Sequence, residues 1–131
     1  MILDRFKIQN KVAVITGGTR GIGLAIAHAL GEAGAKLVVT SRTDQHGGLK
    51  SLEQAGYDAT YFQADLTEPS KPQELVDFVL DTKGSLDILV NNAGVAQHGY
   101  IEKFDDANLK KIMDINVDVR YFVCADHQLF R

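Results

Sequence analysis

Four short apolar runs, each followed by a stretch with helical spacing, constrain this chain more than any other feature. Val12-Ala13-Val14-Ile15-Thr16 reads as a buried strand and Lys36-Leu37-Val38-Val39-Thr40 as a second. Residues 57–64 read as a third, and Leu86-Asp87-Ile88-Leu89-Val90-Asn91 as a fourth. Continuous apolar strands with helices between them imply a parallel sheet covered on both faces. The first helix is expected over residues 21–33, where Ile22, Leu24, Ile26 and Leu30 recur among small alanines. A second is expected over about 44–55, its first turn weakened by Gly47 and Gly48. In the third, over 68–83, Leu75, Val76, Val79 and Leu80 form one face, and Glu74, Asp77 and Asp81 lie off it. Pro69 and Pro72 stand near its start, where a missing N–H does least harm. Asp105 caps a fourth helix carrying Leu109, Ile112 and Met113, and residues 117–131 continue as apolar helix. Right-handed crossovers limit the topology, and the natural arrangement is strand order 3-2-1-4, half of a doubly wound sheet. No linker-like stretch divides the chain, so residues 1–131 read as a single domain.

Composition narrows the function classes. The length of 131 residues suits one domain, and 45% hydrophobic with 24% charged residues is ordinary for a soluble globular chain. A net charge of −3 argues against the basic face a nucleic acid requires. One cysteine, Cys124, excludes an internal disulfide and fits a reducing, cytoplasmic setting. The longest apolar stretches fall short of the roughly 18–20 residues of a spanning helix, so no membrane is expected. The opening Met-Ile-Leu-Asp-Arg-Phe-Lys lacks the apolar core of a signal peptide.

Between the first strand and first helix lies Thr16-Gly17-Gly18-Thr19-Arg20-Gly21-Ile22-Gly23. A diphosphate needs a sharp backbone turn, a close approach and tight helix–strand packing, and Gly17, Gly21 and Gly23 are placed for those three jobs in that order. The helix then offers free N–H groups and a partial positive charge. The spacing lacks the Lys-Ser/Thr pair of a P-loop. In this strand–turn–helix setting the sheet is expected to be half of a doubly wound, Rossmann-type α/β dinucleotide-binding fold.

The glycine turn together with Asn91-Asn92-Ala93-Gly94, Ala64-Asp65-Leu66 and Asp114-Ile115-Asn116-Val117 resembles the short-chain dehydrogenase/reductase family. The resemblance spans residues 10–125 and is similar in pattern to 3-oxoacyl-carrier-protein reductases and to sugar or polyol dehydrogenases. It implies a nicotinamide cofactor bound by Gly17, Thr19, Arg20, Gly21, Ile22, Gly23, Asp65, Leu66, Asn92, Ala93 and Gly94. The amide side chains of Asn91 and Asn92 are suited to tying adjacent strand ends together, because each both donates and accepts; the alternative is a plain Asx turn. Ala93 and Gly94 leave room for a sugar or a nicotinamide ring. Asp65 is expected to accept from an adenine amino group, or else to serve as a turn acid before the next helix. By the same resemblance Asn116 holds a water of a proton relay through its helix backbone; the alternative is a polar residue bonded within its own turn.

Cofactor choice rests on the end of the second strand. A fold that prefers NAD puts a carboxylate there for the ribose 2′-hydroxyl. Here Ser41 stands in that place, followed by Arg42, with Arg20 near by in the glycine turn. Two guanidiniums and small hydroxyls suit a 2′-phosphate, so NADP(H) is expected over NAD(H). Asp44 would reverse the choice if it turned inward. Among the histidines, His28 is expected on a helix face and His98 in a loop near the cleft. Neither they nor His46 and His127 have ligand spacing, so no metal is expected. Cys124 is expected to be buried in a helix.

The resemblance also implies a tyrosine general acid/base, a lysine four residues later and a serine, transferring a hydride between nicotinamide and a ketone or secondary alcohol. None of Tyr57, Tyr61, Tyr100 and Tyr121 is followed at that spacing by lysine. Family members are about twice this long, in line with a second half-sheet. The domain is therefore expected to be incomplete at its C-terminal side, to be inactive alone, and to expose its fourth strand as an edge. In a complete enzyme the last helix is expected to build a dimer or tetramer. The competing reading is a non-catalytic nucleotide-binding or interaction module, such as a truncated paralogue. A methyltransferase-type site is disfavoured, because no acid ends the second strand.

Overall fold

A computed structural model describes residues 1–95, 100, 103 and 105–119. Its four strands are β1 (Val12–Thr16), β2 (Lys36–Ser41), β3 (Ala59–Gln63) and β4 (Ile88–Val90). The helices are α1 (Gly21–Glu32), α2 (Gly48–Gln54), α3 (Lys71–Lys83) and α4 (Asp106–Met113). A 3-10 turn (Ile2–Phe6) precedes them, and a π-helical turn (Asp114–Asp118) continues α4. All pairings are parallel, in the order β3-β2-β1-β4. The expected sheet is the observed one.

Side-chain alternation divides the core into two layers. Val12, Val14 and Val38 face Leu75, Val79, Leu86 and Val119. Ala13, Ile15, Leu37 and Val39 face Ala27 and Leu52. Because each strand packs on both sides, no polar phase interrupts the runs, which is why β1 is apolar throughout. Small residues on α1 let the helix sit close to its neighbours: a Cβ on Gly31 would lie 2.6 Å from the Tyr57 ring.

Several element ends differ from expectation for local reasons. α2 starts at Gly48, not near residue 44, because the Asp44 carboxylate accepts from the N–H groups of Gly48 and Leu49 and so caps the helix from outside. α3 starts at Lys71. Glu68 precedes Pro69 and is biased away from helix, and residues 65–67 form a turn closed by the Asp65 side chain. Within α3, Leu80 is 40% exposed rather than part of the core. Ile22 on α1 is 75% exposed and belongs to the cleft mouth, not to the buried face. β4 is only three residues long, although Asp87 extends its linkage to β1 by accepting the Val12 N–H at 2.8 Å.

That Val12 contact holds the Asp87 carboxyl below its ordinary value of 3.8, with smaller help from Ser85 and Lys11. A depressed folded-state value adds stability that is present above the unfolded value and lost as pH falls through the folded one. Asp87 is exposed, so solvent screens the interaction and Asp87→Ala should cost only about 0.5 kcal/mol at pH 7. In thermal melts at stepped pH the gap to the parent should narrow below 3.8.

The Asp105 cap is observed, its carboxylate accepting from Asn108 N–H at 2.7 Å. The expectations for His98, Cys124 and His127, and for helix beyond Val119, fall outside the described residues.

Candidate dinucleotide site

The C-terminal ends of β1, β2, β3 and β4 open on one cleft of about 580 Å³, of the size that small-molecule sites occupy. The glycine turn forms its floor. Gly17 and Gly18 N–H donate to Thr40 O at 2.7 and 3.3 Å, so the loop springs from between β1 and β2. Gly17 (φ +64°) and Gly21 (φ +55°) lie in the left-handed region that side chains resist. A Cβ on Gly21 would meet nothing within 4 Å, so the backbone there faces open space. A Cβ on Gly23 would run into Gly17 O and approach Asn92 Nδ2 at 2.5 Å. α1 begins after Arg20 with no side-chain cap, and its first residues, Gly21 and Ile22, line the cleft.

Asn92 braces the turn from the far side. Its Nδ2 donates to Thr16 O and Gly17 O, both at 3.1 Å. Thr16 Oγ1, buried, accepts from Asn92 N–H (3.1 Å) and Ala93 N–H (3.0 Å) and donates to Val90 O (3.3 Å). This one hydroxyl joins the ends of β1 and β4. The sequence places Thr16 at the end of the strand and the start of the glycine turn without assigning its hydroxyl a role; a threonine closing a buried strand directly before the glycines is the available signal.

Asn116 lies in the π-helical turn. Its Oδ1 accepts from Val95 N–H (2.8 Å) and its Nδ2 donates to Val95 O (2.9 Å). The side chain thus clamps the segment after Gly94 and does not bond within its own turn. Gly94 fits beneath it, since a Cβ there would come 3.0 Å from Asn116 Oδ1.

On the β2 side, Ser41 Oγ donates to Thr43 O (2.7 Å) and accepts from Thr19 Oγ1 (3.0 Å). Arg20 and Arg42 flank this end of the cleft, and neither forms an ion pair among the described residues. Asp44 is spent on α2 and is not turned inward. Asp65 Oδ1 accepts from the hydroxyl (2.6 Å) and N–H (3.0 Å) of Thr67, leaving Oδ2 without a partner among the described residues. The Thr67 hydroxyl holds the Asp65 carboxyl below the usual range, and Arg42 adds a smaller pull, so the group is ionised at neutral pH. Leu66 and Ala93 line the same cleft, as do Thr43, Gln45, His46, Val95 and Ile115, for which the sequence suggested no cofactor contact.

His28 lies outside the cleft, with Nε2 2.9 Å from Ser51 Oγ and its ring edge-on to Tyr57. Among the described residues no three His, Cys, Asp or Glu side chains gather as a metal set. No described helix is long and apolar enough to cross a membrane.

A family model described as short chain dehydrogenase matches residues 11–127. The chain is similar to the versicolorin reductase of Emericella nidulans, 33% identical over 126 residues that make up 94% of this chain and 48% of that one. Among solved structures it is similar to a short chain dehydrogenase from Burkholderia cenocepacia in complex with NADP. The TM-score is 0.85 at 32% identity, over 92% of this chain and 50% of the other. A 3-oxoacyl-(acyl-carrier protein) reductase from Brucella melitensis gives TM-score 0.82 at 36% identity, over 88% and 48%. The chain spans about half the length of these relatives.

Proposed function

Because the chain belongs to the short chain dehydrogenase family of oxidoreductases, we propose that it is the NADP(H)-binding part of an enzyme that interconverts a ketone and a secondary alcohol. The observation that carries this reading is the cleft's asymmetry. One wall is a glycine turn and an uncapped helix start, suited to a diphosphate; the other carries two guanidiniums without an ion pair among the described residues, and Asp44, beside them, caps α2 instead. Tight backbone packing at Gly17 and Gly23 and the open space at Gly21 fit a dinucleotide lying across the turn. The bound nicotinamide supplies hydride exchange at its C4 with a carbonyl or carbinol carbon.

This chain's residues have defined tasks in that reading. The first N–H groups of α1 hold the diphosphate. Arg20 and Arg42 take the 2′-phosphate, and the free Oδ2 of Asp65 accepts from the adenine amino group. Ala93 and Gly94 leave room beside the ribose. Asn116, its side chain committed to Val95, keeps the π-helical turn in place, and we assign its backbone carbonyl a water of the proton relay. α4 leaves Leu109 and Met113 exposed, which supports self-association through that face. The 131 residues contain no Tyr-x-x-x-Lys pair, which favours a second reading for this stretch by itself: nucleotide binding without turnover.

Fluorescence titration with NADPH and NADH tests the proposal. NADPH should bind more tightly, and Arg42→Ala should weaken it about tenfold while leaving NADH nearly unchanged. Tighter NADH binding would overturn the cofactor choice, and binding of neither would overturn the reading itself.

A further inference from the structure

The guanidiniums of Arg20 and Arg42 belong to two different loops, and their spacing depends on what joins those loops. Thr19, next to Arg20, is buried and donates its hydroxyl to Ser41 Oγ. Ser41, next to Arg42, also lies against Tyr61, whose phenol oxygen is 3.1 Å from Ser41 O and 3.2 Å from Ser41 Oγ. The Tyr61 ring packs on the layer containing Val39 and Leu52. Two residues on, and on the same side of β3, Gln63 Nε2 donates to Arg42 O at 2.9 Å. Three consecutive carbonyls, of Ser41, Arg42 and Thr43, are thereby held by side-chain donors from Tyr61, Gln63 and Ser41. Chain leaving a strand is normally free to vary, so holding all three carbonyls at the end of β2 and just beyond it is a strong geometric restriction.

We propose that the hydroxyl chain Thr19–Ser41–Tyr61, with Gln63, is the specificity-determining splint that sets Arg20 and Arg42 at the separation a 2′-phosphate requires. The inference rests on the NADP(H) reading above. Tyr61 and Gln63 are positioning residues: they hold the backbone carrying Arg42 and take no phosphate contact of their own. Ser41 acts chiefly as the junction of the chain, since its hydroxyl proton already goes to Thr43 O. A rigid pair of arginines selects a phosphate over a hydroxyl because little side-chain and loop entropy is lost on binding.

The test measures NADPH and NADH dissociation constants for the parent chain, Tyr61→Phe, Gln63→Leu, Arg42→Ala and the Tyr61→Phe/Arg42→Ala double variant, with melting curves for each. Tyr61→Phe should weaken NADPH about fivefold and NADH less than about twofold, since only a hydrogen bond acting through the phosphate site is lost. Gln63→Leu should shift the ratio in the same direction. In the Arg42→Ala background, Tyr61→Phe should have no further effect on NADPH, because the group it positions is gone. Equal weakening of both cofactors, an unchanged ratio in both variants, or full additivity in the double variant would overturn the splint while leaving the NADP(H) reading intact. Failure of that reading shows earlier and separately, as a parent chain that prefers NADH or binds neither cofactor.

Discussion

Gly17→Asp is expected to raise the dissociation constant for NADPH by at least about a hundredfold while the chain stays folded. Like charges brought together in a binding site cost several kcal/mol, and each ~1.4 kcal/mol is a factor of ten. Gly17 lines the cleft and abuts Asn92 and Ala93, with an added Cβ 3.1 Å from Ala93 Cα and Asn92 Nδ2. A carboxylate here would itself occupy the positive end of α1 that we assign to the diphosphate. Aspartate tolerates the left-handed backbone at φ +64° better than most residues, so folding survives with modest strain. Gly17→Asn has nearly the same shape without the charge and should lose much less binding. Titration of both variants, with circular dichroism as the folding check, separates charge from strain. Equal losses in the two would mean that packing alone governs the turn, and unchanged binding in both would place the dinucleotide elsewhere.

Thr16→Val should destabilise the fold by about 2 kcal/mol. Valine matches threonine in volume, so packing is kept and only the hydroxyl is lost. The Ala93 N–H loses its acceptor beside a residue that is 1% exposed, whereas Asn92 N–H and Val90 O keep each other as partners at 3.0 Å. Unsatisfied buried groups are costly because water cannot replace the missing partner. Urea unfolding measures the loss. Thr16→Ser, which keeps the hydroxyl, should recover most of it; a valine variant as stable as the parent would show that the strand ends are joined by other means.

Local chemistry explains how far the chain could be read in advance. The buried strands were legible because both faces of the sheet are covered, so β1 and β2 are unbroken apolar runs. The glycine turn was legible because close approach and left-handed backbone both exclude side chains, and only glycine satisfies them. Element starts were less legible. Asp44 looked like a helix residue or an inward carboxylate, yet it caps α2 from four residues upstream. The start of α3 moved because Pro69 and the Asp65–Thr67 turn act together. The sequence offers both Asn91 and Asn92 as ties between strand ends, and the acceptors that Asn92 finds on Thr16 and Gly17 lie 76 and 75 positions away, a distance that no local pattern encodes.

By itself the sequence determined the parallel α/β sheet, its strand order and the loop that opens the cleft. Hydrophobic period and turn chemistry act over a few neighbouring residues, and the right-handed crossover and doubly wound arrangement restrict how the resulting units can be joined. Only the tertiary structure decided that Asn116 grips Val95, that Asp44 turns away from the cleft, and that Tyr61 and Gln63 hold the carbonyls beside Arg42. A side-chain hydrogen bond is won by whichever partner the packed fold brings within about 3 Å, and that proximity is a property of the assembled chain, not of any segment.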